Sequence, residues 1–450
     1  MNKPQETPTQ HETLLLKAES SFGWMSGMPS GNLATFFKGP FAEAKPFIQN
    51  RIQETLKKNP WLTGRLRKTA EGNGLALRWS DESLLQELSA LEQGESSIFH
   101  INPSGLQGKV NLTQPYEELC RVVLKSDYVV PVGKVCLKED LPLFTVTMVE
   151  IDSNSFMVLV SVSHIPADGY TAYAILNMLL SPNPKAVLAL DPKRDHSFND
   201  KLKEAIGHQE KSVLDFSLPG ILNAIGKHLF RPRPQGFFFR VDMEAVEKEK
   251  TQFRQRNGQQ ESAFISTNDI LCSTLSRMMG FSSLYMAVNF RRRIKLNTHG
   301  NPDAHGELLA GNYESGILFF EGDFDKPEQI RFAQGQGGTG IYQRGPNESG
   351  AISPIPGFWK RAFGRPGIIT NWSAWESGFR LPKSEPLLFL PLNELDKPFF
   401  ETAIVFQHRD GEVGVMIFTR KIKTMSEIKN FSPIFGEAIS DSLFPSSPRQ

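Results

Sequence analysis

Apolar positions recur along this 450-residue chain in two rhythms, one helical and one strand-like. From Phe41 to Leu56 the apolar spacing is close to 3.6, predicting a helix that Asn59-Pro60 stops ahead of a short strand. "GLALRW" predicts a further strand and "SLLQELSALEQG" a short helix. Two β-rich runs in "LPLFTVTMVEIDSNSFMVLVSVSH" flank Asp152-Ser153-Asn154-Ser155, a turn-forming quartet, and predict a hairpin. Its second run is apolar or small on both faces, as a buried central strand requires. "GYTAYAILNMLL" then returns to helical spacing and ends before Ser181-Pro182.

Beyond residue 184 the pattern loosens, and residues 185–235 read as a crossing between two lobes, 1–184 and 236–450. "GFFFRV" restarts a strand and "DMEAVEKEKTQFRQRN" a helix. "TNDILCSTLSRMMG" is a second helix, capped by Thr267 or Asn268, and "SLYMAVNF" is a strand running into Arg291-Arg292-Arg293. "ETAIVFQHRDGEVGVMIFT" is a hairpin turning at Asp410-Gly411. Residues 1–12 read as a disordered leader, and the glycine-rich "AQGQGGTGIYQRGPNESGAISP" as a mobile loop.

Composition narrows the classes. Hydrophobic residues make up 39% and charged residues 22%, ordinary for a globular chain. A net charge of +1 gives no field that would draw nucleic acid or an anionic membrane, so neither is expected as a partner. No run reaches the eighteen or more apolar residues of a membrane helix, and no signal-peptide core is present, which predicts a soluble cytoplasmic protein. Cys120, Cys136 and Cys272 lack CxxC spacing, so neither a disulfide framework nor a thiolate zinc site is expected.

The candidate chemistry lies at "SHIPADG", where the buried strand leaves its run at His164. Pro166 stiffens the loop, and Gly169 lets the backbone enter the next helix without side-chain conflict. Such a histidine is either a packed turn residue or a general base facing the space between lobes.

The sequence resembles the CoA-dependent acyltransferase superfamily, which includes the BAHD enzymes, alcohol acetyltransferases and condensation domains of peptide synthetases. "HIPADG" resembles its HxxxDG motif, and "LKKNPWLTGRLRK" its helix-Pro-strand segment. "STNDILCSTLSRM" is similar to its second-lobe helix, and "AVNFRRRIK" to its V-(D/N)-x-R-x-R strand end. "LAGNYESG" resembles its Gly-Asn element and "IITNWSAW" its T-S-W element. The resemblance implies an α/β fold, a two-lobed chloramphenicol-acetyltransferase-like pseudo-dimer with mixed sheets and flanking helices around a tunnel. About 280 residues follow the motif, which fits that arrangement.

By that resemblance His164 is the base that deprotonates an acceptor for direct attack on a thioester. The four-residue spacing of His164 and Asp168 invites a catalytic dyad, but the resemblance implies that Asp168 pairs with Arg291 and supports the loop, together with Gly169. Thr370 is the candidate oxyanion donor and Trp372 a contact to the reacting groups. A strand end packed by Trp372 and Trp375 is the competing reading. Asn312 is either structural or near the cofactor.

Acyl-CoA is implied as co-substrate beside a small-molecule acceptor, with no permanently bound cofactor and a monomeric enzyme. The family's Asp-Phe-Gly-Trp-Gly motif is missing: "WESGFRLP" keeps only Gly378 and Phe379, which sets the chain apart from the plant group. Ser163 stands where condensation domains carry a second histidine, favouring free CoA over a carrier protein.

Weaker signals are set aside. His299, Asp303, His305 and Glu307 lie in a loop with no spacing to converge on a metal. "GQGGTG" lacks the Lys-Ser/Thr of a phosphate loop, and Arg292 and Arg293 stay open as CoA-phosphate contacts. Three functions compete: acyl transfer from acyl-CoA, condensation from a carrier-protein thioester, and ligand binding without catalysis.

Overall fold

The computed structural model describes residues 9–20, 25–214, 222–223, 226, 234–257, 264–298, 306–334, 342, 353–375, 378–393 and 401–439. The strands are β1 (Gln10–Leu14), β2 (Gly31–Lys38), β3 (Arg65–Lys68), β4 (Leu75–Ser80), β5 (Phe99–Ile101), β6 (Phe144–Asp152) and β7 (Ser155–Val162). In the second half come β8 (Gln235–Val241), β9 (Ser283–Asn289), β10 (Glu314–Phe320), β11 (Pro366–Asn371), β12 (Glu385–Leu392), β13 (Glu401–Arg409), β14 (Glu412–Thr419) and β15 (Phe435–Ala438). They build a five-stranded sheet in the order β12-β2-β7-β6-β5 and a seven-stranded sheet in the order β10-β9-β11-β13-β14-β8-β15. A small sheet orders β1-β4-β3. The architecture is the two-lobed α/β fold expected.

β7 is buried at every position: β2 and β6 pair with its two edges, and its apolar side chains pack into the first core. The β6–β7 hairpin turns at the predicted quartet, and β13–β14 turns at Asp410-Gly411. Period-two alternation sorts the seven-stranded sheet into two faces. Phe238, Ile404, Phe406 and Met416 join the core that the five-stranded sheet fills. Their neighbours Phe239, Val405 and Ile417 pack into a second core with the helix Thr267–Met279. Ring contact between Phe389 on β12 and Phe406 on β13, 6.3 Å apart, ties the two sheets together.

Two local expectations are corrected. The leader is not wholly irregular, since Gln10–Leu14 pairs antiparallel with β4. The helix Thr267–Met279 is capped by Ser266, whose hydroxyl accepts from the Asp269 N–H while Asp269 answers from the third helical position. The segment after residue 184 carries the helices Phe198–Ile206 and His208–Leu214. The "GQGGTG" stretch, His299, Asp303 and His305 lie outside the described residues.

Candidate functional site

β7 ends at Val162, and the chain crosses Ser163–Ala167 before the helix Gly169–Leu180 begins. Asp168 caps that helix: its Oδ1 accepts from the Thr171 N–H and hydroxyl, both at 2.9 Å. The same carboxylate accepts from Arg291 Nη1 at 2.7 Å, Arg291 Nη2 at 3.1 Å and the Tyr313 N–H at 3.0 Å. Arg291 spends its remaining donors on the Leu309 and Gly311 carbonyls, Thr171 and Asn289. Its guanidinium lies between the rings of Tyr170 and Tyr313. One carboxylate therefore starts a helix and joins it to the strand end beyond β9.

The other side of the loop is clamped through its backbone. Asn312 Nδ2 donates to the carbonyls of His164 at 3.1 Å and Ile165 at 2.8 Å, and also to Glu19. Glu19 accepts from Arg194 Nε at 2.9 Å, with both side chains fully buried. Arg194 in turn donates to the carbonyls of Pro166 and Ala310. Four backbone or side-chain groups from distant segments thus fix residues 164–168. Sequence reading missed Glu19 and Arg194, which lie outside every motif, one just after β1 and the other in the segment 185–235.

Against this rigid backbone the His164 side chain stays open, with 22% of its surface exposed. Its Nδ1 is enclosed, and Nε2 lies 3.9 Å from Glu314 Oε1 on β10. Glu314, 24% exposed, receives a backbone hydrogen bond from Gly169. Burial first, and then the charge of Asp168, push its pKa up to about 8, against the pull of Arg291. Glu314 was quoted within "LAGNYESG" yet not singled out, because no local pattern shows which strand end faces the histidine.

Trp372 and Trp375 form a wall behind Gly169. A Cβ on Gly169 would stand 2.7 Å from a Trp375 ring carbon and 3.4 Å from Trp372 Nε1. Both indoles meet Tyr173 edge-on, and Trp375 also meets Tyr170. Thr370, half-buried on β11, lies in register with Ile404. It shares that residue's face of the sheet, turned toward the first half, while Ile369 points into the second core. Glu307 pairs with Arg292. Among the described residues no group of three or more His, Cys, Asp or Glu side chains could hold a metal ion, and no helix is long and apolar enough to cross a membrane.

No protein-family model and no curated protein sequence matches this chain. Solved structures match over nearly its whole length. F. graminearum TRI101 complexed with coenzyme A and deoxynivalenol matches with a TM-score of 0.55 at 11% identity, over 93% of this chain and 96% of that one. The first condensation domain of the calcium-dependent antibiotic synthetase, in complex with a substrate analogue, matches with a TM-score of 0.55 at 11% identity and 94% coverage of both chains. Polyketide synthase associated protein 5 from Mycobacterium tuberculosis gives 0.52 at 11% identity, over 94% and 97%. The resemblance read from the sequence therefore holds at the level of the fold.

Proposed function

We propose that this chain transfers an acyl group from acyl-CoA to the hydroxyl or amine of a small molecule, with His164 as general base. The carrying observation is the contrast within one loop, whose backbone is held from several distant segments while the His164 ring stays partly open and presents Nε2 outward. In this reading the two lobes are residues 1–184 and 236–450, and the substrates meet between them.

Nε2 takes the acceptor's proton as its oxygen or nitrogen attacks the thioester carbonyl. Base catalysis of this kind contributes about 10²–10⁴ in rate. The imidazolium then returns the proton to the departing thiolate, so no acyl-enzyme forms. Thr370 supplies a hydroxyl to the oxyanion, and Trp372 forms part of the wall. Asp168, Gly169, Arg291 and Asn312 hold the loop without touching substrate. The enzyme needs no resident cofactor and works as a cytoplasmic monomer.

Structural likeness to a condensation domain equals that to TRI101, which keeps a second reading in view: a thioester presented by a carrier protein. Ser163 in place of a second histidine favours the first. Release of free thiol from a panel of acyl-CoAs, followed by mass spectrometry of the acylated product, tests the choice. Turnover of a pantetheine-loaded carrier protein, with free acyl-CoA untouched, selects the second reading.

A further inference from the structure

Glu314 reaches His164 from the opposite half of the chain, and the geometry has a chemical consequence. Nε2 and Oε1 are 3.9 Å apart, and both side chains are partly exposed. An acceptor atom within hydrogen-bond distance of Nε2, about 3 Å, can therefore sit within the same distance of Oε1. Arg291, whose charge pulls the Glu314 pKa down, spends its hydrogen bonds on Asp168, Thr171, Asn289 and two carbonyls. Among the described residues, His164 is the one basic group within 4 Å of the Glu314 carboxylate. The site thus brings an imidazole and a carboxyl to one point, and the carboxyl, its pKa raised to about 8, keeps its proton near neutral pH until a cation docks beside it.

We propose that Glu314 recognises the acceptor and that the acceptor is a primary amine, entering as its ammonium ion. The inference rests on the acyl-transfer reading above and names its acceptor. A hydroxyl has a single proton and brings no charge to ionise Glu314, whereas an ammonium donates to both groups and draws the carboxyl into its ionised form as it docks, the carboxyl's proton passing to water.

The protons balance. Glu314, ionised by the docked ammonium, takes one proton from it, freeing the nitrogen lone pair. A carboxylate whose pKa burial has raised to about 8 is a competent acceptor for it. The amine nitrogen attacks the thioester carbonyl carbon, forming the C–N bond, and His164 takes the second proton. The C–S bond then breaks, the thiolate leaves with the proton from His164, and Glu314 releases its own to water.

Phenethylamine and 2-phenylethanol, which share one skeleton, form the test pair, with acetyl-, hexanoyl- and benzoyl-CoA as donors. Wild type is expected to favour the amine in kcat/KM by at least about tenfold, and Glu314→Gln to reduce that preference about 10–100-fold. Glu314→Asp, which keeps the charge, retains part of it. Equal use of both acceptors by wild type, or an equal fall for both in Glu314→Gln, overturns the proposal.

Calorimetric titration of phenethylamine without donor separates this from the acyl-transfer reading. Amine binding that Glu314→Gln abolishes, with no transfer from any donor, keeps the recognition and sinks acyl transfer. Transfer without Glu314-dependent amine binding does the reverse. Melting temperatures of both variants, expected within about 2 °C of wild type, control for misfolding.

Discussion

Asp168 and Arg291 meet in a two-pronged ion pair, 2.7 and 3.1 Å long, with both side chains sealed from solvent. One comes from the loop after β7 and the other from the turn after β9, so the pair fastens the two halves at the loop that carries His164. Asp168→Asn leaves a buried guanidinium without its counter-charge, expected to cost about 3–5 kcal/mol. Arg291→Lys should fare little better, since an ammonium cannot reproduce the fork or the packing between Tyr170 and Tyr313. Urea unfolding measures both, and an unchanged midpoint for either would remove the pair from the scaffold.

His164→Ala separates chemistry from folding. The ring is partly open and its Nδ1 makes no hydrogen bond, so removing it should shift stability by less than about 1 kcal/mol. Turnover should fall by about 10²–10⁴. Wild-type turnover in the folded variant would disqualify His164 as the base.

Gly169→Ala tests the tryptophan wall. Alanine's helix preference alone would stabilise by about 0.5–1 kcal/mol. The new methyl meets Trp375 at 2.7 Å, however, and overpacking of this kind costs about 1–3 kcal/mol. The net effect should be destabilising, and Trp375→Leu in the same chain should recover part of it. A double-mutant cycle showing no coupling would contradict the contact.

Glu19→Gln removes the charge opposite Arg194, where neither side chain is exposed. The expected cost is again about 3–5 kcal/mol. Because Arg194 also holds the Pro166 carbonyl, kcat should fall with stability although residue 19 is far from His164 in sequence. A loss of stability with full kcat would confine Glu19 to folding.

His408 supplies a pH dependence. Burial, followed by the charges of Arg409 and Arg240, lowers its pKa to about 3, against roughly 6.5 in an unfolded chain. The folded state then binds fewer protons than the unfolded one between those values. Its contribution to stability is complete above about pH 6.5 and is lost as pH falls toward 3. His408→Leu removes the titrating group, so its stability relative to wild type should rise as pH drops from 7 to 5. A constant gap across that range would count against the shift.

Local signals made the loop at His164 readable: an apolar strand, a stiffening proline and a glycine follow one another within a few residues. The Asp168–Arg291 pair spans 123 positions and was visible only through family resemblance. Glu314 had no such route, because its place opposite the imidazole follows from where β10 begins in the seven-stranded sheet. Glu19 and Arg194 were hidden for the same reason, a buried charge being indistinguishable from a solvated one until its partner is placed. Ser266 was overlooked in favour of its neighbours, although Ser266 and Asp269 have the three-residue spacing of a capping pair.

β12 lies at residues 385–392 yet borders β2 near the start of the chain. Until a ribosome has synthesised those late residues, the apolar strand "GNLATFFK" has one side bare, a template for unwanted pairing between nascent chains. The first lobe is finished last. Cutting the gene near residue 235 would therefore yield an amino-terminal fragment that aggregates when made alone and becomes soluble when the carboxy-terminal fragment is co-expressed to fill the gap.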